Sequence, residues 1–268
     1  MPLSSVQKEI LRVLATHRNP GSYVAGAGPL NRDGPRYSQD IDIFHDREES
    51  VAAAADADAE LLMRAGFDVR WQRREPGLHA AVVTRNGEPM RLEWARDSDF
   101  RFFPTVRDEE FGYVLHVIDI ATNKALASAS RREPRDVLDL LTVHERHAPL
   151  GAIMWAAVAK DPGYSPEALI AEIRRNAHYL PDDYADLALA EPVDAAAVAR
   201  RLRAALDEAD AFARTMPSGK EGRLFLKDGR VVQPDPARLG DYIAHAGRRL
   251  GHWPSSPDIA SAMLERYR

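Results

Sequence analysis

Apolar residues recur at helical spacing at the start of the chain. Val6, Ile10, Leu11 and Leu14 share one face, so residues 4–17 read as a helix with Ser4 or Ser5 placed to cap it. "SYVAGAG" then reads as a short buried strand running into a glycine turn, and "DIDIF" as a second strand. From Ser50 to Ala65 the chain is alanine-rich with Leu61 and Leu62 on the buried side, a helix that Gly66 stops. "FDVRWQRR", "HAAVVTRNG" and "PMRLEWA" follow as three strands, the last two joined by an Asn86-Gly87 hairpin turn. From about Ile118 the period turns helical, through "DIATNKALASAS", "PRDVLDLLTVHERH", "GAIMWAAVAK", "SPEALIAEIRRNAHYL" and "DAAAVARRLRAALDEADAFART". The exception is "GRLFLKDGRVVQP", where Asp228-Gly229 between apolar pairs signals a late hairpin.

These elements predict an α/β (α+β) architecture: a mixed sheet with flanking helices over residues 1–145, then a mainly helical domain with a late hairpin over 146–268. The boundary is a shift in composition, without an internal repeat or low-complexity linker. At 268 residues and 45% hydrophobic composition the chain can bury a real core. Its net charge is −5, so no global basic field announces a nucleic-acid partner, and any such site must be a local patch. With no cysteine, disulfides and thiolate metal sites are excluded, and any metal must take oxygen or histidine ligands. No apolar run approaches membrane-spanning length, so a cytoplasmic, soluble protein with no membrane partner is expected.

Candidate chemistry centres on "YVAGAGPLNRDGPRYSQDIDIFHD". A strand alternates its side chains, so Asp40 and Asp42 point one way while Ile41 and Ile43 point the other. Two carboxylates that share a surface repel each other unless a cation, an arginine or water lies between them. A third acid, Glu93, stands in the later strand "RLEWA", and a carboxylate on a neighbouring strand can complete an oxygen-ligand set for Mg²⁺ or Mn²⁺. Gly26 and Gly28 would let the backbone approach a phosphate closely. Alone, a D-x-D or a G-x-G specifies nothing; in this order and strand context they point to one site. Ser38 lies two residues before Asp40 and reads as facing the same way, either donating to a phosphate or satisfied at the strand entry.

On these residues the sequence resembles the nucleotidyltransferase superfamily, whose hallmark is a glycine-rich turn, a short gap, and a strand with two acids separated by one residue. "RYSQDIDIF" is similar to the R-x-S-x-D-[IL]-D segment of the AbiE-type and MenT-type toxin nucleotidyltransferases of toxin–antitoxin systems. "DIATNKALASASRREPRDVLDL" resembles the later segment of that family in which a helix supplies a lysine and an R-D-x-x-D-L run supplies an aspartate. The usual pattern has Gly-Gly or Gly-Ser before a small polar residue; here Gly26-Ala27-Gly28-Pro29-Leu30 keeps the backbone N–H groups but brings no hydroxyl at Ala27.

The resemblance implies a metal-dependent enzyme that moves a nucleotide from an NTP to an acceptor hydroxyl, at the 3′ end of tRNA or another RNA, with a cognate antitoxin protein as partner. It implies Asp40 and Asp42 as ligands of Mg²⁺ or Mn²⁺ and Glu93 as the third acid, with Asp97 and Asp99 in competition for that role. Gly26, Ala27, Gly28 and Ser38 would face the nucleotide. Lys124 would neutralise the triphosphate, and Asp136, its one evident anionic partner, would orient it. Two alternatives stay open, a small-molecule acceptor of the antibiotic-modifying kind and a catalytically weak nucleotide- or RNA-binding module. His144 and His147 show no metal-ligand spacing, because Leu140 and Leu141 occupy the preceding turn; they read as helix-end partners of the dipole. "RRLRAAL" and "AGRRLGHW", read as helical basic stripes, and Arg131, Arg132 and Arg135 are the candidates for a cationic RNA track.

Overall fold

The computed structural model describes residues 3–32 and 34–254. In chain order the elements are α1 (Ser5–Leu14), β1 (Ser22–Ala25), a short helical turn α2 (Ala27–Leu30), β2 (Asp40–His45), α3 (Glu49–Arg64), β3 (Asp68–Glu75), β4 (Leu78–Arg85) and β5 (Glu88–Arg96). The short strands β6 (Phe100–Arg101), β7 (Val106–Asp108) and β8 (Gly112–Val114) come next. Helices α4 (Val117–Ser130), α5 (Pro134–Arg146), α6 (Leu150–Ala157), α7 (Pro166–Asn176) and α8 (Ala195–Thr215) follow. The last strands are β9 (Arg223–Lys227), β10 (Arg230–Val232), β11 (Ile243–Ala246) and β12 (Arg248–Arg249).

The chain divides into two compact units, one of residues 1–99 and 104–116, the other of 100–103 and 117–268. The first is built on a seven-stranded mixed sheet in the order β3-β4-β5-β2-β1-β8-β7. Helix α1 opens with a capping box, Ser4 accepting from Gln7 N–H while the Gln7 side chain accepts from Ser4 N–H. It buries Val6, Ile10, Leu11 and Leu14 against the sheet residues Ile41, Ile43, Leu92 and Trp94, and α3 adds Val51, Ala55 and Leu62 to the same core. Asn86 and Gly87 both take positive φ, 53° and 82°, which gives the tight turn between β4 and β5 the twist of the strands it joins.

The second unit holds α4 to α8 and the small sheet β10-β9-β11. Helices α4 and α5 pack with α6, α7 and α8 there, so the helical packing begins at Val117, ahead of the composition shift near residue 145. Phe100–Phe103 belongs to this unit because the buried Asp119 carboxylate accepts the backbone N–H groups of Phe102 and Phe103 at 2.8 and 3.0 Å, with Lys160 Nζ at 3.0 Å. The 228–229 hairpin forms as β9–β10, and β11 adds a third antiparallel strand. "AGRRLGHW" is not helical: it carries the end of β11, then β12 paired with β6, with Leu250 and Gly251 at positive φ, 60° and 66°, a geometry that no helix accepts. Among the described residues no helix is long and apolar enough to cross a membrane.

Candidate active site

Strand β2 lies in the middle of the first unit's sheet, antiparallel to β1 and parallel to β5. The parallel register sets Asp40 beside Arg91 and Asp42 beside Glu93. Partners across a ladder share a face, so Asp40, Asp42 and Glu93 occupy one side and Ile41, Ile43, Leu92 and Trp94 the helix-covered other. The alternation is forced by the core, since a slip of one residue would bury both aspartates and expose both isoleucines. Arg91, in register beside Asp40, reaches along its own strand to donate to Glu93.

The turn after β1 closes on the same acids. Ala25 pairs with Asp42, and the next residue, Gly26, has φ 68°. A side chain there would place its Cβ 2.0 Å from Asp42 Oδ2, so only glycine allows the backbone to pass this close to the carboxylate. Gly28 carries no such demand; a Cβ would meet only Phe111 at 3.7 Å. Ala27 is buried, so it offers the site its backbone alone. Ser38 sits just ahead of β2 and is 5% exposed; its hydroxyl donates to the Asp40 carbonyl at 2.9 Å and lies 3.2 Å from Asp40 Oδ1, while Gln7 holds its carbonyl at 2.7 Å. The hydroxyl is thus engaged with the strand entry and with the first acid.

Of the competitors for the third acid, Asp97 follows the end of β5, where its N–H bonds the His45 carbonyl and its carboxylate takes the Tyr23 hydroxyl at 3.3 Å. It stands four residues, about 13 Å of strand, beyond the register position next to Asp42. Asp99 also lies past the strand end. Glu93 alone of the three is in register with an acid of β2.

Among the described residues no three histidine or acidic side chains converge as a ready set of metal ligands. The donors on the acid face of β2 and β5 are nonetheless all carboxylate oxygens, the chemistry that hard divalent cations take. Glu93 must leave Arg91 to join them.

Lys124 and Asp136 meet in the second unit. Lys124 Nζ lies 3.3 Å from Asp136 Oδ1 and 2.7 Å from Asp139 Oδ2, with both carboxylates buried. Arg131 adds two bonds to Asp136, at 2.8 and 3.0 Å. The sequence reading gave Lys124 one anionic partner; it has two, and Asp139 was missed although it is the second acid of the same R-D-x-x-D run, one turn beyond Asp136 on α5. Two cations and two anions balance in this cluster. His144 and His147 stand at the end of α5, where His144 accepts from Leu150 N–H at 3.3 Å.

A cavity of about 820 Å³ in the first unit lies elsewhere: between the start of α3 and the β3–β4 turn, lined by Arg47, Arg74, Arg96 and His79 together with Glu48 and Glu75. His79 pairs with Trp94 and so belongs to the helix-covered face, not to that of Asp42.

No protein-family model and no curated protein sequence matches the chain. Solved structures do. MenT4, a nucleotidyltransferase toxin from Mycobacterium tuberculosis, superposes with a TM-score of 0.57 at 20% identity, covering 80% of this chain and 83% of that one. JHP933 from Helicobacter pylori gives 0.50 at 17% identity, over 79% and 95%. With a mixed sheet carrying two acids on a strand behind a glycine turn, this chain has the nucleotidyltransferase fold.

Proposed function

We propose that this protein transfers a nucleotide from an NTP to an acceptor hydroxyl, at the 3′ end of tRNA or another RNA, and that it acts as a toxin held in check by an antitoxin protein. The observation that carries the reading is the Gly26 backbone pressed against Asp42, with Asp40 and Glu93 on the same face. The likeness in fold to a chain described as a nucleotidyltransferase toxin supports it.

In this reading Asp40 and Asp42 hold Mg²⁺ or Mn²⁺, joined by Glu93 once it leaves Arg91. The ion, when bound, offsets negative charge on the phosphate oxygens of the NTP. The acceptor oxygen attacks the α-phosphorus, a new phosphoester bond forms, and the bond to the β-phosphate breaks to release pyrophosphate. Glu93 takes the proton of the attacking hydroxyl. The Gly26 turn gives the phosphates a backbone that no side chain shields, and Ser38 fixes the carboxylate of Asp40. The family resemblance alone assigns Lys124, whose ammonium Asp136 and Asp139 hold, as counter-charge to the triphosphate.

Incubation with α-labelled NTPs, Mg²⁺ and total RNA, beside a panel of small-molecule hydroxyl acceptors, tests the proposal. Label should enter RNA, and Asp40→Ala or Asp42→Ala should lower its incorporation by about 10³-fold or more. Glu93→Gln should lower the rate far more than NTP binding, because a base acts mainly in the transition state. Near-normal transfer by both aspartate variants would end the reading, and label entering only the small-molecule panel would move the acceptor.

A further inference from the structure

Gln7 breaks the apolar stripe of α1. It falls on the face of Ile10, Leu11 and Leu14, one turn ahead of them, and it is as fully buried as they are, at 0% exposure. A buried amide left without partners would cost stability that a leucine would not. Both ends of this amide are used. The Gln7 side-chain oxygen accepts the Ser4 N–H at 2.8 Å, and Nε2 donates to the Ser38 carbonyl at 2.7 Å, across 31 positions of chain. An N–H can only give and a carbonyl can only receive, so an amide serves both partners while a carboxylate serves only the first. Glutamate closes a capping box at this third helical position as well as glutamine does. Only the bond to Ser38 asks for glutamine.

That bond holds the entry to β2. Ser38 gives its hydroxyl to the Asp40 carbonyl at 2.9 Å and stands 3.2 Å from Asp40 Oδ1. The second contact is at the long end of hydrogen-bond lengths, so a shift of about 0.5 Å in the Ser38 backbone would lose it. Ile10, Leu11 and Leu14 anchor α1 in the core at no more than 1% exposure, whereas Asp40 is half-buried on the other side of the sheet. One buried amide therefore ties a partly exposed acid to the packed interior of the first unit.

We propose that Gln7 is a positioning residue for the metal site: through Ser38 it holds the Asp40 carboxylate in the orientation that takes a divalent cation. The role rests on the reading of Asp40 as a metal ligand. Groups that orient a ligand from behind change metal affinity about 10- to 100-fold when they are lost, and a group one bond further back should change it less.

The test reads metal binding and not transfer: Mn²⁺ titration of the full chain, followed by the electron paramagnetic resonance of the free ion, with the thermal midpoint of each variant beside it. Ser38→Ala should weaken Mn²⁺ binding about tenfold, and Gln7→Met about three- to tenfold. Gln7→Glu keeps the bond to Ser4 and loses the one to Ser38, so it should weaken binding as Gln7→Met does; if the buried carboxylate unfolds it, Gln7→Met decides. Ser4→Ala removes the cap hydroxyl but neither bond of the Gln7 side chain, and should lower the thermal midpoint while Mn²⁺ binds as in wild type. Gln7→Met combined with Ser38→Ala should bind Mn²⁺ about as Ser38→Ala alone does, because one residue acts through the other. Folded Gln7 variants that bind Mn²⁺ like wild type, or whose loss multiplies in full with that of Ser38→Ala, would overturn the role and leave the metal reading standing. Mn²⁺ binding unchanged by Asp40→Ala would instead sink the reading of Asp40 as a ligand, and the positioning role with it.

Discussion

Asp58 and Asp42 approach the same sheet from opposite sides, and their surroundings differ in kind. Asp58, on α3, is fully buried and takes Arg18 at 2.5 Å, Trp94 Nε1 at 2.8 Å and His17 Nδ1 at 2.9 Å. Every one of these contacts serves the fold. Asp42 is half-buried, on the side of the sheet away from the α1 and α3 core, with the Gly26 backbone against one oxygen and Glu93 beside it. A carboxylate enclosed in the core is committed to the fold; a half-buried one beside another carboxylate gains when a cation arrives. Burial alone would rank Asp58 as the more important acid, whereas the proposed function rests on the less buried Asp42.

The sharpest way to break the contrast is to remove each acid in turn. Asp58→Ala leaves Arg18 charged in the core and should cost about 3–5 kcal/mol of unfolding free energy. Asp42→Ala should cost little stability, under about 1 kcal/mol, while abolishing transfer. Urea titration of both variants decides the matter, and equal losses of stability would erase the distinction.

A smaller effect comes from His45, buried on the Asp58 side. Burial, and next the nearby Arg18 charge, press its pKa down to about 4. Between that value and the usual 6.5 the unfolded chain binds a proton that the native one refuses. Stability should therefore be level above about pH 6.5 and fall as pH drops towards 4, by roughly 3 kcal/mol from this residue. His245 in the second unit, also brought to about 4 chiefly by burial, adds a fall of the same sign. Unfolding titrations of wild type and His45→Gln from pH 7.5 to 4.5 should show a shallower fall in the variant; parallel curves would remove His45 from the account.

The smallest effect sharpens the other side. Gly26→Ala meets both a left-handed backbone and the Asp42 carboxylate, a strain of about 1–3 kcal/mol, and on the proposed mechanism should reduce transfer more than stability because it displaces Asp42. Gly28→Ala, whose Cβ would make only an ordinary contact with Phe111, should change both little. Thermal midpoints and transfer rates of the two variants, compared side by side, test whether the close approach at Gly26 matters.

Much of this was legible from pattern because the pattern is a packing instruction. The alternation in "DIDIF" assigns Ile41 and Ile43 to the core and Asp40 and Asp42 to the other face, and the structure keeps that assignment. Strands β6, β7 and β8 were not foreseen. At two or three residues each they are too short to show a period, and they exist through pairing with distant partners such as Val24 and Arg248. Asp58 was equally hidden: an acid in an alanine-rich helix looks solvated until Arg18 and Trp94 are brought to it. The pairing of Asp139 with Lys124 was within reach, since a residue three beyond Asp136 must share its helix face.

The parallel pairing of β2 with β5 has a consequence for when the acid face is complete. Asp42 and Glu93 are neighbours in the sheet but lie 51 positions apart along the chain (42 to 93), with α3 and the β3–β4 hairpin between them. The β1–β2 pair can form from local contacts, yet it carries only two of the three acids. The third arrives after a long loop has been closed, a step that is slow because its entropy is lost before its contacts form. A growing chain that has emerged only as far as β4 therefore carries Asp40 and Asp42 without Glu93. The topology of one strand pair thus separates the synthesis of the first two acids from the assembly of all three on one face.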